Sequence, residues 1–167
     1  MDVYEKISEL SRSIVEKCTE MNFKVATAES CTGGMISAAI TSVPGSSAVI
    51  ELGVCSYSNR IKQKVLGVSE KTLNTFSEYS HECAEEMAQG VLKLAGADFA
   101  VSTSGIAGPT GGTDENPVGT VYIGICSNKE TFSEKIFIRS TKRNVIRAES
   151  AKEALSILLD KICKASE

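Results

Sequence analysis

A run of small polar residues between two apolar segments constrains the fold of this chain more than any other feature. The segment Thr27–Gly34 follows the apolar pair Val25-Ala26 and precedes the apolar stretch 35–40. That order predicts a strand, a tight polar loop and then a helix. Such a loop places hydroxyl groups and unpaired backbone N–H groups at a helix N-terminus, where negative charge is favoured. The segment is either an ordinary capped turn or a site for a phosphate or a developing oxyanion.

The rest of the chain predicts alternating helices and strands. Helical spacing and capping residues indicate helices at about residues 4–22, 33–42, 80–94 and 141–165, with a short helix after Ser58-Asn59. Apolar and β-branched runs indicate strands at about residues 24–28, 49–57, 99–103, 119–126 and 131–138, the last two as a hairpin. We therefore predict a single α/β domain over residues 1–167, a three-layer α/β/α domain with a mixed, mostly parallel sheet.

Composition narrows the function classes. The 167 residues are 42% hydrophobic and 23% charged, as in a soluble globular domain. The net charge of −3 argues against broad nucleic-acid binding, which needs a basic face. No apolar run approaches the ~18 residues of a membrane span. The acidic, amphipathic start Met1–Lys6 does not resemble a secretory signal, so we expect a cytoplasmic protein.

The cysteines do not suggest a metal site or a disulfide framework. The six cysteines are scattered, they form no C-x-x-C pair, and the chain has one histidine. We expect most of them to be small buried side chains in a reducing compartment. Cys31 lies in the polar loop, but the single histidine, His81, is predicted to open a helix elsewhere. Cys31 is therefore predicted to fill space rather than to act as a nucleophile.

Three polar loops leave predicted strand ends. In α/β sheets the loops at the carboxyl ends of strands meet in one crevice. Residues 28–34, 57–62 and 104–113 could therefore share a ligand site. Their glycines fit neither the G-x-G-x-x-G nor the P-loop pattern, so dinucleotide and triphosphate binding lose their usual support.

Ser30 and Lys62 are the best candidates for a nucleophile and its base. A serine needs a base to take its proton, and without a suitable histidine the available base is a lysine of lowered pKa. Lys62 is predicted in the first turn of a helix, where the helix dipole disfavours an ammonium. Tyr57 could hydrogen-bond to this pair or stack on a planar ligand. The alternative is that residues 58–64 form an ordinary solvated basic helix face.

Three further features could bind an anion or a polar ligand. The glycine-rich loop Ser104–Thr113 suits an oxyanion hole or a phosphate nest, although it could be a surface turn. Arg143 and Arg147 are four residues apart on one helix face, which suits a phosphate or carboxylate but also an ordinary surface. Glu29 would repel a phosphate, so we expect it to accept from loop N–H groups or from ribose hydroxyls.

Seven motifs together resemble the CinA C-terminal domain family, in order and spacing, over about residues 25–158. They are Thr27–Gly34, Pro44–Ser47, Tyr57–Lys62, Leu66–Val68, Glu86–Gly90, Ser104–Gly112 and Asn116–Tyr122. The resemblance implies a nicotinamide-nucleotide amidase that hydrolyses the carboxamide of nicotinamide mononucleotide to nicotinate mononucleotide and ammonia, in pyridine-nucleotide salvage. It also implies action without a metal or other cofactor, a bacterial cytoplasmic location and a homodimer. Larger relatives carry an additional N-terminal domain to which nothing in this sequence corresponds.

The resemblance also implies roles for individual residues. Ser30 corresponds to the nucleophile, Lys62 to the general base and Tyr57 to their partner, with Arg143 on the substrate phosphate. The positions implied in substrate binding are Glu29, Cys31, Thr32, Gly33, Gly34, Ser46, Ser104, Gly105, Ala107, Gly108, Arg143 and Arg147. Ser104 stands where the family often has threonine, which keeps the hydroxyl.

One segment departs from the family pattern. Residues Phe76–Ser80 stand where the family usually reads histidine, glycine, alanine, valine and serine. The change is expected to reshape one rim of the pocket or a dimer contact. Two other functions stay open from the sequence: a catalytically silent module that binds a nucleotide or a partner, and an amidase for another small amide.

Overall fold

The structure, a computed structural model that describes residues 2–165, is built on one five-stranded sheet. The strands are β1 (Val25–Glu29), β2 (Ile50–Cys55), β3 (Phe99–Gly105), β4 (Thr120–Ser127) and β5 (Thr131–Phe137). Their order across the sheet is β2-β1-β3-β4-β5. Strands β2, β1 and β3 are parallel, whereas β4 is antiparallel to both of its neighbours. The predicted mixed sheet and the predicted hairpin are confirmed.

Helices cover both faces of this sheet. They are α1 (Val3–Met21), α2 (Met35–Thr41), α3 (Asn59–Leu66), α4 (Glu70–Thr75), α5 (His81–Ala95) and α6 (Arg143–Ala165), with a 3₁₀ turn at Ser46–Ala48. Helices α1, α2 and α6 bury their apolar residues against one face, and α3, α4 and α5 against the other. The predicted three-layer α/β/α architecture is confirmed.

Small residues let α5 approach the sheet closely. The strands present Ala26, Ala28 and Ala100 to this side, whereas larger apolar residues fill the other face. A Cβ atom on Gly124 would collide with the carbonyl of Ala84 in α5. Helix α5 therefore packs close to the sheet, and Cys83 in its first turn faces Lys62 of α3.

Three local predictions differ from the structure. Helix α4 was not predicted, because its six residues bury little and depend on Glu86 of α5, which accepts from Ser69 and Thr72. Strand β2 ends at Cys55, before Tyr57. Helix α6 begins at Arg143, whereas the predicted cap at Thr141 would start it at Lys142. The reason is that the Lys142 carbonyl accepts the first helical hydrogen bond, from Ile146 N. No helix within residues 2–165 is long and apolar enough to cross a membrane.

Candidate active site

Ser30 and Lys62 meet at the carboxyl edge of the parallel strands. Ser30 follows β1 directly, and Lys62 lies in the first turn of α3, which follows the neighbouring strand β2. The Lys62 Nζ atom lies 3.1 Å from Ser30 Oγ. Ser30 is 8% exposed and Lys62 is 1% exposed. The hydroxyl and the amine are therefore in contact, almost fully buried from solvent and within proton-transfer distance.

Burial lowers the pKa of Lys62, because a charged ammonium loses its hydration in this position. The nearby groups Cys83, Glu78 and Cys31 act in the opposite direction, more weakly. Besides Ser30, the Lys62 Nζ atom contacts the carbonyl oxygen of Ser56 at 3.1 Å. A lysine with a lowered pKa and a neighbouring hydroxyl has the properties of a general base.

The carboxylate of Glu29 occupies the N-terminus of α2 and is fully buried. Its Oε2 atom accepts hydrogen bonds from Thr32 Oγ1 at 2.7 Å, Gly34 N at 2.9 Å and Ile36 N at 3.1 Å. Its Oε1 atom accepts from the N and Oγ atoms of Ser37 at 2.9 and 2.8 Å. Of the two partners expected for Glu29, the structure shows the loop N–H groups. The Glu29 side chain thereby takes the backbone N–H groups of Gly34, Ile36 and Ser37, as in the capped turn that the sequence left open.

The remaining residues of the first loop are buried and closely packed. Thr32 Oγ1 also lies 2.8 Å from Thr103 Oγ1, so its side chain points into the protein. Gly33 N donates to the carbonyl of Ser30, which closes the turn. Burial raises the pKa of the Cys31 thiol to about 11, so this cysteine is a neutral space-filling group near pH 7. Glu29 does not bind the N–H groups of Cys31 and Thr32, which face the Cys31 thiol, a weak acceptor, and are candidate oxyanion donors.

The two arginines of α6 fasten the three loops together. Arg147 donates from Nε to the Cys31 carbonyl at 3.1 Å and from a terminal nitrogen to the Thr32 carbonyl at 2.9 Å. Arg143 donates to the Gly108 carbonyl and to the Tyr57 hydroxyl, each at 2.7 Å. Arg147 is half-buried, whereas Arg143 is exposed. Arg143 is thus the one of the pair that an anion from solvent can reach, and Arg147 holds the loop of Ser30.

The structure does not bring the Tyr57 hydroxyl to the Ser30–Lys62 pair. Tyr57 is 62% exposed, and its hydroxyl accepts from Arg143. Of the two interactions predicted for this side chain, the hydrogen bond to the pair is absent from the described residues. The exposed ring remains available for stacking on a planar ligand.

Ser46 lies away from the other predicted site residues. It precedes β2, and the register pairs Ile50 at the start of β2 with Val25 at the start of β1. Ser30 and Lys62 follow the opposite ends of these two parallel strands. Ser46 therefore lies toward the amino ends of these strands, because α2 carries the backbone across the sheet before Ser46 is reached, and its implied role in substrate binding stays a prediction.

Part of the loop after β3 makes contacts inside the protein. The Ser104 hydroxyl is buried and donates to the carbonyl of Glu78 at 2.6 Å, so it holds the segment before α5 rather than facing a ligand. A Cβ atom on Gly105 would lie 2.6 Å from the Thr120 carbonyl, which explains the glycine. Ala107 is buried, and Gly108 offers its carbonyl to Arg143.

Sequence reasoning missed Ser56 and the role of the segment 76–80. Ser56 contacts Lys62 through its carbonyl, a contact for which the sequence carries no signal. Ser77 has a left-handed backbone with φ of 69°, at the position where the family pattern has glycine. The departure from the family pattern thus keeps a backbone shape typical of glycine. Its Oγ atom accepts from Tyr79 N at 3.1 Å.

Comparison with known proteins agrees with this architecture. The profile of the CinA C-terminal domain matches residues 7–162. A CinA-like protein of Thermotoga maritima is 46% identical over 154 residues, which cover 92% of this chain and 36% of that protein. A CinA-like protein of Endomicrobium trichonymphae is 50% identical over 138 residues, or 83% of this chain and 32% of that protein. The chain thus spans about a third of the length of these curated relatives.

Solved structures show the same fold. The competence/damage inducible protein CihA from Agrobacterium tumefaciens has a TM-score of 0.90 and 40% identity, with 93% of this chain and 94% of that chain covered. A CinA superfamily protein from Escherichia coli has a TM-score of 0.88 and 28% identity, with 92% and 88% covered. The profile match and both likenesses extend over nearly the whole chain, and the chain belongs to the CinA C-terminal domain family.

Proposed function

We propose that this chain is an amidohydrolase that converts nicotinamide mononucleotide into nicotinate mononucleotide and ammonia. The observation that carries the proposal is the 3.1 Å contact between Ser30 Oγ and the buried Lys62 Nζ. A buried amine beside a hydroxyl suits acyl transfer from an uncharged carboxamide. The family resemblance supplies the substrate.

The first step is acylation of Ser30. Neutral Lys62 takes the proton of the Ser30 hydroxyl while Oγ forms a bond to the carboxamide carbon, and the carbonyl π electrons move to oxygen. The N–H groups of Cys31 and Thr32 stabilise this oxyanion, an interaction typically worth a few kcal/mol per donor. When the intermediate collapses, the C–N bond breaks and Lys62 returns the proton to the leaving nitrogen, so that ammonia departs.

The second step repeats the proton transfer with water. Lys62 takes a proton from a water molecule, whose oxygen attacks the nicotinoyl ester. Collapse breaks the ester bond, and the proton passes from Lys62 to Ser30 Oγ. The chain then holds nicotinate mononucleotide and its starting hydroxyl, and no co-reactant besides water is consumed.

Tyr57 and Arg143 would position the substrate at the mouth of the site. The ring of Tyr57 is exposed and offers a face for the cationic pyridinium. The guanidinium group of Arg143 lies beside it and is exposed to an incoming phosphate. Remote binding of this kind orients the carboxamide for attack. We further propose that the chain acts in the cytoplasm as a homodimer, which a sedimentation measurement would test.

Ammonia release from the purified chain tests the proposal. We expect release from nicotinamide mononucleotide, and little from nicotinamide riboside or free nicotinamide, without added metal. Ser30→Ala should reduce the rate at least about a thousandfold while binding, measured by calorimetry, persists. Ser42→Ala, an exposed serine after α2, is the matched control and should keep its activity.

Other outcomes would assign the chain to the alternatives. Binding of the mononucleotide without ammonia release by the unaltered chain would identify a silent binding module. Equal release from the riboside and the mononucleotide would identify an amidase for another small amide. A near-normal rate in Ser30→Ala would refute the assignment of the nucleophile.

A further inference from the structure

The side chain of Ser56 is a buried hydroxyl without a partner. Its Oγ atom is inaccessible to solvent and has no hydrogen-bond partner among the described residues. Burying an unpaired hydroxyl costs stability, and alanine in the same place would avoid that cost. Such a group in a folded protein calls for an explanation, and a role at the neighbouring site is one.

Ser56 is held between the strand of the nucleophile and the base. Its N–H donates to the Glu29 carbonyl at 2.9 Å, and its own carbonyl accepts from Lys62 Nζ at 3.1 Å. Successive side chains of an extended segment alternate between faces. Val54 packs on the α5 side and the Cys55 thiol lies near Gly34 on the α2 side. Ser56 therefore returns to the α5 side, which also holds Lys62.

When Lys62 is protonated, its two contacts leave one of its three N–H groups without an assigned acceptor. An ammonium has three N–H groups, and the contacts with Ser30 Oγ and the Ser56 carbonyl account for two. Lys62 becomes an ammonium during the reaction, when it takes the Ser30 proton. A hydrogen bond to a charged donor is stronger than one to a neutral donor. An acceptor for the third N–H group thus stabilises the charged state more than the resting one.

We propose that the Ser56 hydroxyl accepts this third N–H group once Lys62 carries the proton, which makes Ser56 a positioning residue for the base. A serine side chain can turn toward the amine by rotation about one bond, and no other hydrogen bond holds it back. The chemical part of this inference rests on the proposed amidase function. The interaction with Lys62 does not, and it can be measured separately.

The groups that face Lys62 permit a clear pH experiment. They are the Cys31 thiol from the first loop, Glu78 from the segment before α5, and the Cys83 thiol of α5. Burial raises the pKa of both thiols to about 11, so they stay protonated near neutral pH. Loss of activity on acidification should then report the protonation of Lys62. Because the hydroxyl favours the ammonium, its removal makes Lys62 harder to protonate and moves this loss to lower pH.

The experiment compares Ser56→Ala, Ser56→Thr and the control Ser11→Ala. Ser11 carries another buried, unpartnered hydroxyl and lies on α1, across the sheet from α3 and Lys62. Two rates are measured against pH: ammonia release, and sulfonylation of Ser30 by phenylmethanesulfonyl fluoride. The second reaction forms an O–S bond, releases fluoride and needs the same proton transfer to Lys62. Thermal unfolding is recorded for each variant.

We expect Ser56→Ala to unfold at a higher temperature than the unaltered chain while both plateau rates fall by up to about tenfold. The pH at which both rates fall on acidification, here called the acidic limb, should be about one unit lower than in the unaltered chain. Ser11→Ala should also unfold at a higher temperature, but both of its rates and the pH of its acidic limb should be unchanged. Ser56→Thr, which restores the hydroxyl, should recover most of the rate.

Specific results would overturn the inference. Unchanged sulfonylation rates and an unchanged acidic limb in Ser56→Ala would do so, as would an equal loss in Ser11→Ala. If the unaltered chain released no ammonia but Ser56→Ala still slowed sulfonylation and moved its limb, the amidase proposal would fail and the role of Ser56 would stand.

Discussion

Glu29 and Lys62 are two buried ionisable residues beside Ser30, and they differ in the number of hydrogen bonds that their side chains make. Glu29 accepts five hydrogen bonds at the N-terminus of α2. Lys62 contacts two oxygens, and burial lowers its pKa. Glu29 thus closes the loop that carries Ser30, whereas the lowered pKa of Lys62 favours the neutral amine that can accept a proton.

A lysine with a lowered pKa destabilises the folded state at neutral pH, which gives a prediction for Lys62→Met. The unfolded chain binds the lysine proton more readily than the folded chain, so stability rises as the pH climbs from the folded pKa toward the ordinary value of 10.5. We expect Lys62→Met to be more stable than the unaltered chain at pH 7, and this advantage to shrink by pH 10. Urea unfolding at both pH values measures it.

The control for this prediction is Lys64→Met, on the same helix but exposed. It should change the free energy of unfolding by less than about 0.5 kcal/mol. A Lys62→Met variant that is less stable at pH 7 and gains on the unaltered chain as the pH rises would contradict the burial argument.

At the scale of elements, the segment between α4 and α5 carries the clearest local strain. Ser77 has φ of 69° and is followed within three residues by the N-cap of α5. A residue with a Cβ atom pays about 1 kcal/mol for this conformation, and glycine does not. The Ser77 hydroxyl offsets part of that cost by accepting from Tyr79 N. Substitutions can separate the two effects.

We expect Ser77→Gly to be more stable than Ser77→Ala by about 1 kcal/mol or more, because both lose the hydroxyl and only alanine keeps the strain. Thermal or urea unfolding measures the difference. The same pair of substitutions at Ser13, in the middle of α1, is the control. There the order should reverse, since glycine costs up to about 1 kcal/mol in a helix. Equal stability of the two Ser77 variants would show that the left-handed backbone is not costly.

At the scale of the whole molecule, α6 joins parts of the chain that are far apart in sequence. Its first two turns carry Arg143 and Arg147, which donate to the loops after β1, β2 and β3. The carboxyl ends of three parallel strands and the start of the last helix thus converge on one region. This convergence makes the loops a single site instead of three separate surface turns.

Substitution of the two arginines should distinguish support of the Ser30 loop from binding of the substrate. Arg147→Gln loses two hydrogen bonds to carbonyls of the Ser30 loop, so we expect a loss of roughly 2 kcal/mol in stability and a lower kcat. Arg143→Gln should change stability by less than about 1 kcal/mol and raise KM for the mononucleotide about tenfold. Urea unfolding and steady-state kinetics of both variants measure these effects. An increase in KM confined to Arg147→Gln would reverse the two roles.

The sequence by itself determined the order of helices and strands apart from α4, the three-layer class and the choice of Ser30 and Lys62 as candidates. These follow from local apolar periodicity, from loop composition and from the chemistry of a chain with one histidine. Only the tertiary structure decided that Glu29 is bound by its own loop and that Ser46 lies toward the amino ends of the parallel strands, opposite to Ser30. It likewise revealed the unpaired hydroxyl of Ser56. The reason is that hydrogen-bond partners and burial depend on which distant segments the sheet register places within about 3 Å of each other, and no local pattern encodes that distance.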